Sequence, residues 1–423
     1  MSRLAYRAVE RCRTGFRWSD VRDAARLLDG SPSDIEAHVV ERLRVTHGAP
    51  RLAREWLRRQ PITTKDSFRK RVENEKARPT SRGMQWRGTS GSTGEPLRFP
   101  KQKEMLRQMD AAMWAVYSWH GIGPDSRQAT FRAMPLRRRA RAARLAADLL
   151  YARLRFNAFR ISVEDSVAYF RSAQKFRATY AYGYPNLMLR FAEHCESAGL
   201  HGGELGIETV ICTGELLVPE TRTRLADFFS ARVVNEYGCS ESGILSVECE
   251  LGSPHAVPWA ALTEVQSGND EELQRAGSAV VTDLYGENLP LLRYQLSDGV
   301  ASGPANCECG RSLSILAPSG GRRSATIKLP DGREIFSSAL AYSVPSQVVR
   351  FRARQLAIGT MKFEVVARRG CASGDVVEAC RKAWGDVLDR CMRIDVELVN
   401  DIEPEPSGKQ RYFIPLPESE RNS

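Results

Sequence analysis

Two stretches decide the fold. Residues 209–215 read Thr209-Val210-Ile211-Cys212-Thr213-Gly214-Glu215, and residues 232–241 read Arg232-Val233-Val234-Asn235-Glu236-Tyr237-Gly238-Cys239-Ser240-Glu241. The first starts as a short apolar strand, Thr209 to Cys212, the second as a strand over Arg232 to Asn235, and each ends in a turn that contains glycine. Between them, Arg222 to Phe229 has helical spacing of apolar residues. Strand, loop, helix and strand in this order predict a parallel βαβ unit. Ligands of such sheets gather at the carboxyl ends of the strands. Gly214-Glu215 and Tyr237-Gly238 both fall at such ends.

Working outward, Val21 to Leu28, Ile35 to Leu43 and Leu52 to Leu57 show helical apolar spacing. Thr63, Thr64 and Asp66 offer N-cap chemistry for one more helix. Residues 103–120 read as a helix with Met105, Met109, Met113, Trp114 and Tyr117 near one face. Leu136 to Leu154 reads as a basic amphipathic helix carrying Arg137, Arg138, Arg139, Arg141 and Arg144. After Gly321, strand-like pieces at Ala325 to Lys328, Phe363 to Val366 and Ile394 to Leu398 alternate with a helix near 374–391. The predicted fold class is therefore α/β. A large N-terminal domain of mixed β-sheets and helices spans 1–320, and a small α+β domain spans 321–423.

Bulk composition narrows the function classes. The 423 residues suit two domains. No run of apolar residues is long enough for a membrane span, and the Arg-rich N-terminus lacks the apolar core of a secretory signal. The net charge of +11 suits anionic ligands such as nucleotides, CoA or an acidic carrier protein. No DNA- or RNA-binding motif accompanies it, so no nucleic-acid partner is expected. The ten cysteines form no small-protein disulfide pattern, and most of them, such as Cys212 and Cys380, read as buried thiols of a reducing cytoplasm. Monomer and homodimer are equally compatible with the sequence.

Residues 86–96, Trp86-Arg87-Gly88-Thr89-Ser90-Gly91-Ser92-Thr93-Gly94-Glu95-Pro96, form a glycine–hydroxyl loop. Glycine tolerates the angles that let backbone N–H groups surround an anion. The Gly-Lys-Ser/Thr ending of a Walker loop is missing, and Pro96 disfavours a helix directly after the loop. A Gly/Ser/Thr surface turn would read the same way in isolation.

Five elements stand in order: the loop at 88–96; Thr213-Gly214-Glu215; Glu236-Tyr237-Gly238-Cys239-Ser240-Glu241; Leu292 to Asp298 with Gly321-Arg322; and Ser407-Gly408-Lys409. This order resembles the acyl-adenylate-forming superfamily, and within it the phenylacetate–CoA ligase branch with its CapK and coenzyme-F390-synthetase-like members. The resemblance spans about residues 80 to 415. It implies ATP-dependent activation of a carboxylic acid to an acyl-adenylate, loss of pyrophosphate, and acyl transfer to a thiol.

The resemblance also assigns roles. Thr89, Ser90, Gly91, Ser92, Thr93 and Gly94 would hold the β- and γ-phosphates, with Thr89 among the catalytic groups. Glu241 would bind Mg²⁺, a hard cation that takes carboxylate oxygen. Tyr237, within Glu236-Tyr237-Gly238, would stack on adenine, and Gly214 with Glu215 would line the adenine pocket. Asp298 would accept from the ribose hydroxyls, and Arg322 would support ribose and phosphate. Lys409 would be the catalytic lysine on a small mobile domain. Tyr182, Gly183, Tyr184 and Pro185 would line the acyl pocket, where aromatic rings suit a flat acid. Trp114, Tyr117, Trp119 and His120 are further candidates there. Two departures from the family pattern stand out: Glu95 replaces a common lysine, and Arg323-Ser324-Ala325 lacks the usual acidic hinge residue.

CoA is the acceptor the resemblance implies. A carrier-protein phosphopantetheine and an amine are the alternatives, and a non-catalytic nucleotide-binding protein is the alternative from another class. Cys249 and His255 lie six positions apart, and Cys307 and Cys309 follow on a later loop. They supply the soft ligands of tetrahedral Zn²⁺. Such a site would be structural, pinning the segment after Glu241 to the loop after Asp298.

Overall fold

The structure, a computed structural model, describes residues 17–76, 84–88, 97–132, 145–149, 151–157, 162–267, 277–286, 289–303, 307–322, 326–337, 339–340, 343–404 and 411–416. Four helices open it: α1 (Trp18–Leu28), α2 (Pro32–His47), α3 (Ala53–Arg59) and α4 (Lys65–Lys76). Their starts and stops follow local chemistry. Ser31 and Asp34 form a reciprocal capping box at α2, and Gly48 ends it in the left-handed region at φ 67°. Thr64 Oγ accepts the Ser67 N–H at the start of α4 (3.2 Å).

Strands β1 (Met84–Gly88) and β2 (Arg98–Gln102) pair as an antiparallel hairpin, and α5 (Lys103–Tyr117) follows directly. Next come β3 (Gln128–Arg132), β4 (Arg153–Asn157), α6 (Val163–Phe176), β5 (Tyr180–Gly183), α7 (Pro185–Ser197), β6 (Thr209–Thr213), α8 (Pro219–Phe229) and β7 (Arg232–Cys239). These five strands lie parallel in the order β4-β3-β5-β6-β7. All five residues of β6 are buried, as an apolar central strand requires.

The sheet continues antiparallel through β8 (Gly243–Glu248), β9 (Pro254–Ala256), β10 (Ala261–Ser267), β11 (Gly277–Asp283), β12 (Tyr294–Gly303) and β13 (Ile315–Arg322). The result is one sheet of eleven strands, ordered β10-β11-β12-β13-β9-β8-β7-β6-β5-β3-β4. One apolar core packs α1, α2, α3 and α5 against it, and a second gathers around α6, α7 and α8. In the second core, the buried ring of Phe191 contacts those of Phe131, Phe156, Tyr169, Phe170, Phe228 and Phe229. Phe191→Ala would leave a cavity there. The expected loss of unfolding free energy is about 3–5 kcal/mol, measured by denaturant titration.

Among the described residues, the remaining strands pair only among themselves. β14 (Thr326–Lys328) meets β15 (Glu334–Phe336); β16 (Val348–Ala357), β17 (Thr360–Ala367), β18 (Arg393–Leu398) and β19 (Phe413–Ile414) form a four-stranded sheet ordered β18-β17-β16-β19. Helix α9 (Ser373–Val387) covers it, with the buried Trp384 ring stacked on Phe363 at 4.1 Å.

One predicted element changes. The helix expected over Leu136 to Leu154 survives only at 145–149 among the described residues, and Arg153–Asn157 is strand β4. Residues 133–144, with their five arginines, lie outside the described residues. Leu145 and Leu149 are exposed, whereas Phe156 is buried. Pairing with β3 outweighs the helical spacing of the leucines, because the alternation Arg153, Leu154, Arg155, Phe156 suits a strand at a sheet edge.

Candidate active site

Strands β3, β5, β6 and β7 end side by side. The register pairs Phe131 with Gly183, Gly183 with Cys212, and Thr213 with Glu236. Arg132, Tyr184, Gly214 and Tyr237 therefore share one carboxyl edge of a parallel sheet, where ligands bind in such folds. Two glycines make the edge possible. A Cβ on Gly183, at φ 151°, would lie 2.0 Å from the Phe131 carbonyl oxygen, and one on Gly238 would lie 2.4 Å from the Gly243 oxygen.

Glu236 sits at the centre of this edge. It is buried, and burial pushes its carboxyl above the usual carboxylate range. Tyr117 of α5 donates to its Oε2 (2.5 Å), Tyr182 donates to its Oε1 (3.4 Å), and Thr213 also hydrogen-bonds it. Burial in turn pushes the Tyr117 and Tyr182 phenols up, so both stay protonated donors. Arg132 faces the same cluster, its guanidinium carbon 5.3 Å from the Tyr182 ring centre and 5.6 Å from that of Tyr184. Neither Arg132 nor the bonding of Tyr117 to Glu236 is readable from sequence. Trp119 and His120 face elsewhere: the Trp119 ring meets His255 edge-on, and His120 Nε2 bonds the Glu248 carbonyl (2.9 Å).

Glu215 lies one residue past Gly214, and its carboxylate accepts from Asn186 N (3.2 Å) and Asn186 Nδ2 (2.9 Å). It thereby holds the start of α7, next to Pro185, where an anion also meets the helix dipole favourably. Asn186 Nδ2 further donates to Tyr412 Oη (2.5 Å). Tyr412 immediately precedes β19, so the C-terminal sheet touches the large sheet at its ligand edge. Ion pairs reinforce this contact: Arg350 to Glu193 (2.8 Å), Arg190 to Asp401, and Arg368 to Glu220.

On the other side of β7, Glu241 is buried, and burial raises its carboxyl against the opposing Lys101 and Lys65 charges. Tyr294 hydrogen-bonds it. Tyr237 Oη donates to Asp298 Oδ2 (3.3 Å), and Asp298 faces Arg322 in the β12–β13 register. Beside Glu241, Ser242 Oγ donates to Asp283 Oδ1 (2.8 Å). The other Asp283 oxygen takes Lys101 Nζ at 2.5 Å and the Leu291 N–H at 2.9 Å. This buried pair ties the β1–β2 hairpin to the end of β11. Thr89, Ser90, Gly91, Ser92, Thr93 and Gly94, which connect β1 to β2, lie outside the described residues, as does Lys409.

The four predicted zinc ligands come together. Cys249, His255, Cys307 and Cys309 place one ligand atom each within 4.8 Å of the others. The Cys249 and Cys307 sulfurs are 3.7 Å apart, and Cys309 Sγ is 3.2 Å from His255 Nε2. A tetrahedron with Zn–S bonds of about 2.3 Å spaces its sulfurs by about 3.8 Å. His255 Nδ1 donates to the Leu313 carbonyl (3.1 Å), which turns Nε2 toward the sulfurs. The Ser253 hydroxyl, with the Cys309 N–H, holds the Cys307 thiol down at about 6. The donor set and its spacing fit a closed metal site.

No family model matches the chain, and no curated protein matches it in sequence. Solved structures do match in fold. A 2-hydroxyisobutyryl-CoA ligase in the postadenylation state with 2-HIB-AMP superposes with a TM-score of 0.73 at 19% identity, over 94% of this chain and 93% of that one. The same ligase with 2-HIB-AMP and CoA in the thioesterification state gives 0.57 at 20% identity, over 92% and 91%. The amide bond synthetase McbA from Marinactinospora thermotolerans gives 0.52 at 18% identity, over 78% and 72%. The chain thus has the fold of the acyl-adenylate-forming ligases.

Proposed function

We propose that the protein is an AMP-forming acid–thiol ligase of the phenylacetate–CoA ligase type. It activates a carboxylic acid with ATP, releases pyrophosphate, and passes the acyl group to the thiol of CoA. The observation that carries this reading is convergence. Tyr182, Glu215, Glu236, Tyr237, Glu241 and Asp298, scattered along the sequence, gather around the carboxyl edge of the parallel strands in the fold that such ligases use.

The chain's own groups divide the work. The loop at 89–94 binds the β- and γ-phosphates through backbone N–H groups and hydroxyls. Asp298 takes the ribose hydroxyls, and Tyr237, oriented by its bond to Asp298, covers the adenine. Glu241 fits Mg²⁺: it is a buried carboxylate beside Asp298 whose ionised form a cation would restore. When bound, that ion neutralises phosphate charge during adenylation. Lys409 bridges the acid and the α-phosphate. Tyr412, three residues after it, is anchored at Asn186, and three residues span at most about 11 Å. The better match to a postadenylation state than to a thioesterification state supports a domain arrangement closer to the former.

An aromatic acid is the first class to assay, because the partly exposed Tyr182 lies at this edge. The test is mass spectrometry of reactions containing ATP, Mg²⁺, CoA and a panel of aryl and aliphatic acids. The expected products are acyl-CoA and AMP in equal amounts with at least one acid. A product formed only with holo-carrier protein or with an amine would reassign the acceptor. Absence of AMP with every acid would overturn the reading.

We assign structural Zn²⁺ to Cys249, His255, Cys307 and Cys309. Purified protein is expected to carry about one zinc per chain by elemental analysis. Chelation is expected to lower the thermal midpoint by several degrees, and Cys307→Ser to lose the metal. A metal-free protein with an unaltered midpoint in Cys307→Ser would remove the assignment.

A further inference from the structure

Arg132 is a cation at the ligand edge that forms no carboxylate ion pair among the described residues. It is the last residue of β3, one position past the Phe131–Gly183 register pair, and it is only partly exposed. Its guanidinium lies over the faces of Tyr182 and Tyr184, and it hydrogen-bonds the Tyr184 side chain. Cation–π contacts hold a guanidinium in place but bring no opposite charge.

The nearby carboxylate, Glu236, attracts Arg132 only from beyond ion-pair distance. Its two oxygens take the Tyr117 and Tyr182 hydroxyls, and burial raises its carboxyl, which favours the neutral form. The chain that leaves β3 supplies no carboxylate: residues 133–144 contain five arginines and no Asp or Glu. A guanidinium stays charged at any physiological pH, and its planar fork matches a carboxylate.

Tyr182 and Tyr184 also belong to the stretch that lines the acyl pocket under the proposed function. Their ring faces are turned to Arg132, and the Tyr182 hydroxyl is turned to Glu236. This end of the pocket is polar and cationic, which ill suits a purely apolar acid tail.

We propose that Arg132 selects the acid: its guanidinium receives a second carboxylate on the substrate, so dicarboxylic acids are activated in preference to monocarboxylic acids of equal length. The inference rests on the acid-activating reading and adds the substrate class to it. No bond is made or broken at Arg132; it binds the end of the acid that does not react.

The test pairs each dicarboxylate with its methyl analogue: succinate with butyrate, glutarate with pentanoate, and terephthalate with 4-methylbenzoate. ATP–pyrophosphate exchange is measured for the wild-type protein, Arg132→Met and Arg132→Lys. Binding of the same acids without ATP is followed in parallel by calorimetry. Wild type is expected to prefer at least one dicarboxylate by about tenfold or more in kcat/KM. Arg132→Met is expected to erase that preference, and Arg132→Lys to keep part of it.

Equal use of both members of every pair by the wild type would overturn the proposal. So would an Arg132→Met effect confined to the KM for ATP, since the anion would then be a nucleotide phosphate. Dicarboxylates that bind through Arg132 but support no exchange would retain the anion site and sink acid activation instead. Exchange with monocarboxylates alone would do the reverse. Failure of both binding and exchange with every acid would overturn both.

Discussion

Lys409→Ala is expected to lower acid-dependent ATP–pyrophosphate exchange by about a hundredfold to a thousandfold while the protein stays folded. A cation that meets negative charge as it develops on the α-phosphate is worth that much when the site excludes water. Lys409 lies in Ser407-Gly408-Lys409, and Tyr412 fixes the chain just after it against Asn186. The loss should therefore fall on kcat, with the KM for ATP changing far less. Exchange and circular dichroism on the same preparation check both halves. Exchange at the wild-type rate in the variant would remove Lys409 from the reaction.

Asp283→Ala is expected to cost about 3–5 kcal/mol of unfolding free energy, because it leaves the buried Lys101 ammonium without its counter-charge. The double variant Lys101→Met/Asp283→Ala should recover part of that loss, since no uncompensated charge then remains. Denaturant titration of wild type, both single variants and the double variant closes the cycle. The network also bears on catalysis. Asp283 holds Ser242, next to Glu241, and Lys101 anchors the hairpin whose loop carries Thr89 to Gly94. A double variant that is stable but needs more Mg²⁺ for exchange is the expected outcome. Asp283→Ala with wild-type stability would show that the pair carries no such weight.

What the sequence disclosed depended on where the signal resides. The βαβ unit was legible because Thr209 to Thr213 is an apolar run, Val233-Val234 is a short β-branched pair, and both are flanked by turn residues. The Cys/His cluster was legible because few residue types bind zinc and their spacing is short within each pair. Arg132 was not, since an arginine at the end of a strand looks like any surface arginine until β3 pairs with β5 and brings Tyr182 beside it. The same holds for Lys101 and Asp283, which meet only when the hairpin packs on β11. Leu145 to Leu154 misled for a related reason: leucines at helical spacing outvoted the strand alternation of Leu154 and Phe156, which β3 then satisfied.

Glu215 shows how a motif residue gains a second role in three dimensions. Its place after Gly214 pointed to the nucleotide, and its carboxylate grips the start of α7 and, through Asn186, the Tyr412 side of the C-terminal sheet. The segment after Gly214 is thus linked through Asn186 to the residue that precedes β19. Arg350, Arg190 and Arg368 secure that position through ion pairs across the same face. The Arg190 and Arg368 pairs are partly exposed and contribute little singly, whereas Arg350 is buried, so removing Glu193 would leave a buried charge less well paired.

Acid-dependent exchange of labelled pyrophosphate into ATP tests the central claim most directly, because it reports adenylate formation whatever the thiol or amine acceptor proves to be. With Mg²⁺ and a matched acid, exchange should rise well above the acid-free rate and vanish in Lys409→Ala. Exchange that no acid stimulates, in a protein that still binds ATP, would contradict the account and leave a nucleotide-binding protein in the fold of a ligase.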